Sequence, residues 1–175
     1  MERALGSGTD YSGDISTKII CMKIVGETYG VEIDYVEELI RITDENISFS
    51  SSIPHVRGVI SLRGEVVPLL DLSVMFGLKK KDIDNEVVGK KGVVVRVGEG
   101  KGLFCIIADD IFILTDVSKI AISDSPKVGI KYVEMIKGIV RDEKTQENMI
   151  IVLDPMKILR KHRELSGIKT REESY

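Results

Sequence analysis

The feature that most constrains this chain is a succession of short Ile- and Val-rich runs, each closed by a glycine, proline or acidic turn signal. β-Branched side chains lose χ1 freedom in a helix and pack well on a pleated sheet, so the runs read as strands. Runs at 18–25 and 29–33 flank a turn at 26–28. Those at 56–62 and 66–72 flank Arg63-Gly64-Glu65, and those at 93–97 and 103–108 flank the glycine-rich stretch 98–102. A last pair covers 135–140 and 149–153. Spacings of this kind predict hairpins. The run 111–114 is expected to extend the sheet of the third hairpin. Pro68 cannot donate to a ladder, which predicts an edge or bulge position for its strand. Segment 34–40 reads either as a helical turn opened by Asp34 or as a continuing strand, with the turn preferred. Segment 47–52 reads as a Ser-rich connector ending at Pro54, and 79–91 and 123–130 as loops. A single helical turn is expected over 72–76, closed by Gly77. The one longer helix starts at Asp154-Pro155, with Asp as N-cap and Pro at the first position. It is expected to carry Met156, Leu159 and Leu165 on one side and to close at Gly167.

A weak internal recurrence organises these elements. The order Ile33-Asp34-Tyr35-Val36…Leu39, Val56-Arg57-Gly58-Val59-Ile60, then 66–70 and Asp71 recurs. Its second copy is Ala108-Asp109-Asp110-Ile111…Leu114, Ile136-Lys137-Gly138-Ile139-Val140, then 150–153 and Asp154. Two related barrels packed together would leave such a trace. The expected organisation is a disordered lead-in over 1–16, one all-β domain over 17–165, and a flexible tail over 166–175. Within the domain, two interleaved subdomains fall roughly at 17–85 and 86–153, followed by a helix over 155–165.

Several functions are disfavoured. A net charge of −3 with intermixed signs lacks the basic face of a nucleic-acid binder. The basic residues Lys157, Arg160, Lys161, Arg163, Lys169 and Arg171 read as the solvated side of the last helix and its tail. Cys21 and Cys105 lie inside apolar runs and read as buried thiols of a reducing compartment. No run approaches the ~18 apolar residues of a membrane span, and no signal-peptide core opens the chain, so a cytosolic protein is expected. His55 and His162 are too isolated in sequence to suggest a ligand pair, and no Cys-x-x-Cys or His-Glu-x-x-His occurs. Stretch 82–86 lacks the glycine and the closing acid of a calcium loop. The glycines around Ser61 do not form a nucleophile elbow. Asp71, Asp109 and Asp154 end apolar strands and read as turn caps. No catalytic residue, metal or cofactor is expected.

The stretch Ile53-Pro54-His55-Val56-Arg57-Gly58-Val59-Ile60-Ser61-Leu62-Arg63-Gly64-Glu65-Val66-Val67-Pro68-Leu69-Leu70-Asp71-Leu72 closely resembles the signature of the CheW family of chemotaxis coupling proteins. Further blocks follow in that family's order. They are Tyr29-Gly30-Val31-Glu32-Ile33 with Val36-Glu37-Glu38, then Ala108-Asp109 with Ile111, Ile136-Lys137-Gly138-Ile139, and Ile150-Ile151-Val152-Leu153-Asp154. The resemblance spans roughly 17–159. Two positions depart from it: Ser61 stands where the family usually has Asn, and Cys105 where it often has Gly.

The resemblance implies two five-stranded SH3-like barrels, a short C-terminal helix and no catalytic activity. It implies an adaptor between the cytoplasmic tip of methyl-accepting chemoreceptors and the regulatory domain of the histidine kinase CheA. That domain shares the fold, so the two can alternate in rings, with self-association in rings left open, at membrane-bound arrays but without membrane insertion. Carried over by position, the partner-binding residues are Val36, Glu38, Arg63 with its turn partner Gly64, and Gly138. By its own chemistry Arg63 also reads as a plain surface arginine beside a turn glycine. A small-ligand-binding β-barrel, or a diverged scaffold without kinase binding, is the competing reading.

Overall fold

The computed structural model describes residues 16–49, 51–78, 86–100, 102–118, 133–141 and 149–168. The lead-in before residue 16, the loop at 123–130, most of the loop at 79–91 and the tail after 168 lie outside the described residues.

Among the described residues eleven strands form two sheets. They are β1 (Ser16–Ile24), β2 (Glu27–Glu32), β3 (Val36–Arg41), β4 (Ile47–Ser48), β5 (Val56–Leu62), β6 (Glu65–Leu70), β7 (Lys91–Val97), β8 (Gly102–Ala108), β9 (Asp110–Ser118), β10 (Ile136–Arg141) and β11 (Met149–Leu153). The first sheet runs β10-β11-β2-β1-β9 and the second β3-β7-β8-β6-β5-β4. The second sheet read backwards from β5, as β5-β6-β8-β7-β3, repeats the connectivity of the first. In both, a bulged strand (β10, β5) pairs antiparallel with the next, which runs parallel to one arm of a hairpin. The bulges fall at matching places, between Ile136 and Gly138 and between Val56 and Gly58. Asp154 N donates to Met135 O at 2.8 Å, and Asp71 N donates to His55 O at 2.8 Å. The sequence recurrence is thus a repeat of topology.

Each repeat gives one strand to the other sheet. After β2 the chain turns through a 3-10 helix at Ile33–Tyr35 and pairs β3 with β7; after β8 it leaves for the first sheet, where β9 pairs with β1. The expectation that 111–114 extends the β7–β8 sheet is therefore corrected. Asp109 interrupts the chain there: its Oδ2 accepts a hydrogen bond from Val25 N at 3.2 Å, at the tip of the β1–β2 hairpin. A division near residue 85 falls between β6 and β7, inside the second sheet.

The two sheets face each other across a common core. Ile20, Met22, Tyr29 and Val31 from the first meet Val93, Val95, Phe104 and Ile106 from the second. The intervening residues turn the other way, into two private cores. Ile19, Cys21, Val140, Ile150 and Val152 fill one; Ile42, Ile60, Val67, Leu69, Val94 and Cys105 belong to the other. Successive side chains of a strand point to opposite faces, and both faces are buried here, so these strands read as unbroken apolar runs.

Three other expectations are refined. Segment 34–40 is both things at once, a 3-10 turn followed by β3. The Ser-rich connector holds the two-residue β4, with Ile47 buried against the second core. Strand β6 lies inside its sheet and not at an edge, a correction. Pro68 is accommodated because pairing with β8 begins only at Leu69.

Asp71 caps α1 (Leu72–Met75), its Oδ1 accepting from Ser73 N and Val74 N. Asp154 likewise caps α2 (Pro155–Leu165) by accepting from Lys157 N at 3.2 Å. The buried face of α2 is Pro155, Ile158, Leu159 and His162, the spacing of one helical stripe. Met156 and Leu165 face solvent, contrary to expectation. The helix packs on β7 and on a 3-10 turn at Val133–Met135 that leads into β10. Gly102 makes room for it, since a Cβ there would overlap the Leu159 side chain. Among the described residues no helix is long and apolar enough to cross a membrane.

Truncating Leu159 removes a knob from the common core. Leu159→Ala is expected to cost about 2–5 kcal/mol of stability, read as a lower urea midpoint with an unchanged slope.

Candidate docking site

Two-residue hairpin loops of type I′ require positive φ at both central positions, which favours Asn-Gly. The β5–β6 loop is Arg63-Gly64, with Leu62 paired to Glu65 and φ of 50° and 84°. An arginine in that conformation costs about 1–2 kcal/mol. The return is position: its side chain is 71% exposed at the loop tip, and Nη2 lies 3.3 Å from Glu38 Oε2 on β3.

A second arginine completes the charged patch. Arg96 on β7 reaches Glu37 Oε2 at 3.0 Å through Nε and Glu65 Oε2 at 2.9 Å through Nη2, tying β3 to the β5–β6 loop. The hydrogen bond from Arg96 chiefly holds the Glu37 carboxyl below its usual range, with Arg63 adding to the effect. Glu37 and then Glu65 push the Arg96 guanidinium up in turn. The result is a fixed pattern of alternating charge at one end of the second sheet.

Next along β3, the edges of the two sheets meet. Leu39, Ile40 and Arg41 of β3, Lys91 of β7, and Ile111, Phe112 and Ile113 of β9 line an open cleft of about 360 Å³. Leu39, Phe112 and Ile113 remain 44%, 41% and 55% exposed, an unusual apolar concentration for a surface. Lys91 Nζ donates to Asp110 Oδ1 at the rim, which holds the Asp110 carboxyl below its usual range.

The five residues inferred by position separate. Glu38, Arg63 and Gly64 meet in the charged patch. Val36 opens the same strand, half-buried against the common core. Gly138 sits buried in β10 of the other sheet, just past a bulge whose residue, Lys137, ion-pairs with Glu32. Sequence reasoning missed Arg96, Glu37 and the cleft. Arg96 carries no motif, and the cleft joins residues some 70 apart that only the strand exchange brings together. Both thiols are buried and outside any disulfide, and burial pushes Cys105 up to about 12, so it stays a protonated packing residue.

A double β-barrel whose distinctive surface is an apolar cleft beside a charged patch belongs to the class of docking modules. The protein-family model described as the CheW-like domain matches residues 18–163, and the chain belongs to the CheW family. Relatives include the chemotaxis protein CheW of Treponema pallidum, 28% identical over 149 residues, with 83% of each chain covered. The chemotaxis protein CheW of Klebsiella aerogenes is 25% identical over 146 residues, covering 83% of this chain and 82% of that one. The fold is similar to the crystal structure of the scaffolding protein TtCheW from Thermoanaerobacter tengcongensis. There the TM-score is 0.64 and identity 23%, over 85% of this chain and 91% of that one.

The strain at Arg63 makes a test of its purpose. Arg63→Asn relieves the turn while deleting the cation, and the lost ion pair contributes only about 0–1 kcal/mol. Thermal unfolding is expected to show a melting temperature unchanged or slightly raised; a drop of many degrees would make Arg63 structural.

Proposed function

We propose that the protein is a chemotaxis scaffold that acts by docking, without a catalytic step of its own. It couples the cytoplasmic tip of a chemoreceptor to the regulatory domain of a CheA-type histidine kinase. The cleft between β3 and β9 carries this reading. An amphipathic helix laid into an apolar groove is a common recognition mode, and a receptor tip is a helical hairpin. Leu39, Phe112 and Ile113 offer the apolar contacts, while Glu38 and Arg63 read the polar flank. Exposed ion pairs contribute little on their own, so the apolar floor supplies most of the affinity and the charges supply orientation. The planar guanidinium of Arg63 suits a carboxylate or carbonyl on the partner.

The reading places the protein in the cytoplasm, recruited to receptor arrays, with kinase domains of the same fold alternating with it in rings. Gly138, in the other sheet, belongs in this reading to a contact separate from the cleft.

Calorimetric titration tests the coupling. Saturable one-to-one binding of the kinase regulatory domain and of a receptor-tip fragment is expected. Ile113→Asp should weaken the receptor-tip fragment at least ten-fold and leave the kinase domain unaffected, while Arg63→Glu weakens coupling without altering the melting temperature. No heat with either partner at high micromolar concentration would sink the proposal and favour a ligand-binding barrel.

A further inference from the structure

Two histidines that stand 107 residues apart in sequence meet inside the molecule. His55, ahead of β5, and His162, on α2, are 3% and 7% exposed, and His55 Nε2 lies 2.9 Å from His162 Nδ1. The rings meet edge to face with centroids 5.2 Å apart, and Ser166 Oγ lies 3.3 Å from the same Nδ1. The His55 backbone is itself fixed, its carbonyl accepting from Asp71 N at the α1 cap.

The contact has a fixed proton count. Two ring nitrogens at this distance share one hydrogen, one donating and one accepting. A first extra proton makes a buried imidazolium. A second sets N–H against N–H and breaks the contact.

The surroundings offer a cation little support. On the helix side stand Arg163 and Lys161, the latter paired with Glu134 of the 3-10 turn at 3.5 Å and with Glu164 at 3.2 Å. On the strand side Arg57 faces Asp71 at 3.9 Å. No carboxylate among the described residues bonds to either ring.

We infer that the His55–His162 contact is a proton-operated latch, which holds the C-terminal half of α2 against the segment leading into β5 when neutral and releases it in acid. This goes beyond the docking role and does not depend on it. Desolvation, followed by the neighbouring His55 and Arg163, pushes His162 down to about 4; burial lowers His55 as well. Released rings regain their ordinary value, near 6.5. The open form therefore binds more protons between those limits, and the latch weakens as pH falls from about 6.5 toward about 4. Above 6.5 it is fully engaged. For His162 alone, the opening equilibrium should rise about thirty-fold between pH 7.5 and pH 5.

Hydrogen exchange on the full chain, corrected for the intrinsic rate, reads this directly. Amides at the end of α2 should lose about thirty-fold in protection over that range, while β7 and β8 amides keep theirs. In the His55→Gln/His162→Gln double variant the pH dependence of α2 should vanish. Its persistence there would overturn the latch. Should the variant not fold, imidazole NMR on the wild-type protein decides. Titration of His162 well below its ordinary value, with α2 opening alongside, supports the latch. Titration near 6.5 with α2 still protected, or flat α2 protection from pH 7.5 to 5, overturns it.

Discussion

Everything in this molecule depends on the apolar contact between its two sheets. Neither sheet is a self-sufficient sandwich: each has a small private core and shares the larger one with its neighbour. Burying both faces of β1, β7 and β8 makes the interior continuous, at roughly 25 cal/mol for each Å² of apolar surface withdrawn from water. The exchange of β3 and β9 between sheets reinforces the same contact by covalent connection. A change in one barrel is therefore felt in the other, which suits a scaffold.

Much of this was legible in the residues. Hairpin signals located β1–β2, β5–β6, β7–β8 and β10–β11, because turn glycines and β-branched runs act locally. Asp71 and Asp154 were readable as caps for the same reason. Destinations were not legible. Nothing in Ile111-Phe112-Ile113 says which sheet they join, since partner choice is settled by long-range packing, and both candidate sheets accept an apolar edge. The buried stripe of α2 was misassigned because Met156 and Leu165 look as apolar as Ile158, while the stripe is completed by a histidine. That histidine was passed over as isolated, since separation in sequence says little about separation in a fold of crossing strands.

The candidate site divides along the same line. Arg63 and Gly64 were singled out through a motif that folds into a local turn, and Glu38, on β3, only as a position carried over from the family resemblance. Arg96 and the cleft were invisible, being products of strand order. Two edge strands supply the cleft, and exposed edges invite unwanted pairing. Here each edge is guarded by charge beside its apolar residues. Arg41 stands next to Leu39 and Ile40, and the Lys91–Asp110 pair sits at the start of β9. Such guards discourage a second flat strand while leaving room for a helix, whose side chains reach the floor without needing the backbone.

The backbone at Arg63 makes the same point about selection. An Asn-Gly loop would close the β5–β6 hairpin with less strain, and a lysine would supply charge with no better turn geometry. The structure keeps an arginine in a left-handed conformation, 71% exposed and only loosely engaged by Glu38 at 3.3 Å. Strain of this kind persists where surrounding structure over-determines it, and it concentrates at functional positions. The Glu37–Arg96–Glu65 pairs provide that determination by pinning the loop to β3 and β7. Arg63 thus stands exposed at a loop tip that its neighbours pin, with Glu38 as the partner of its guanidinium.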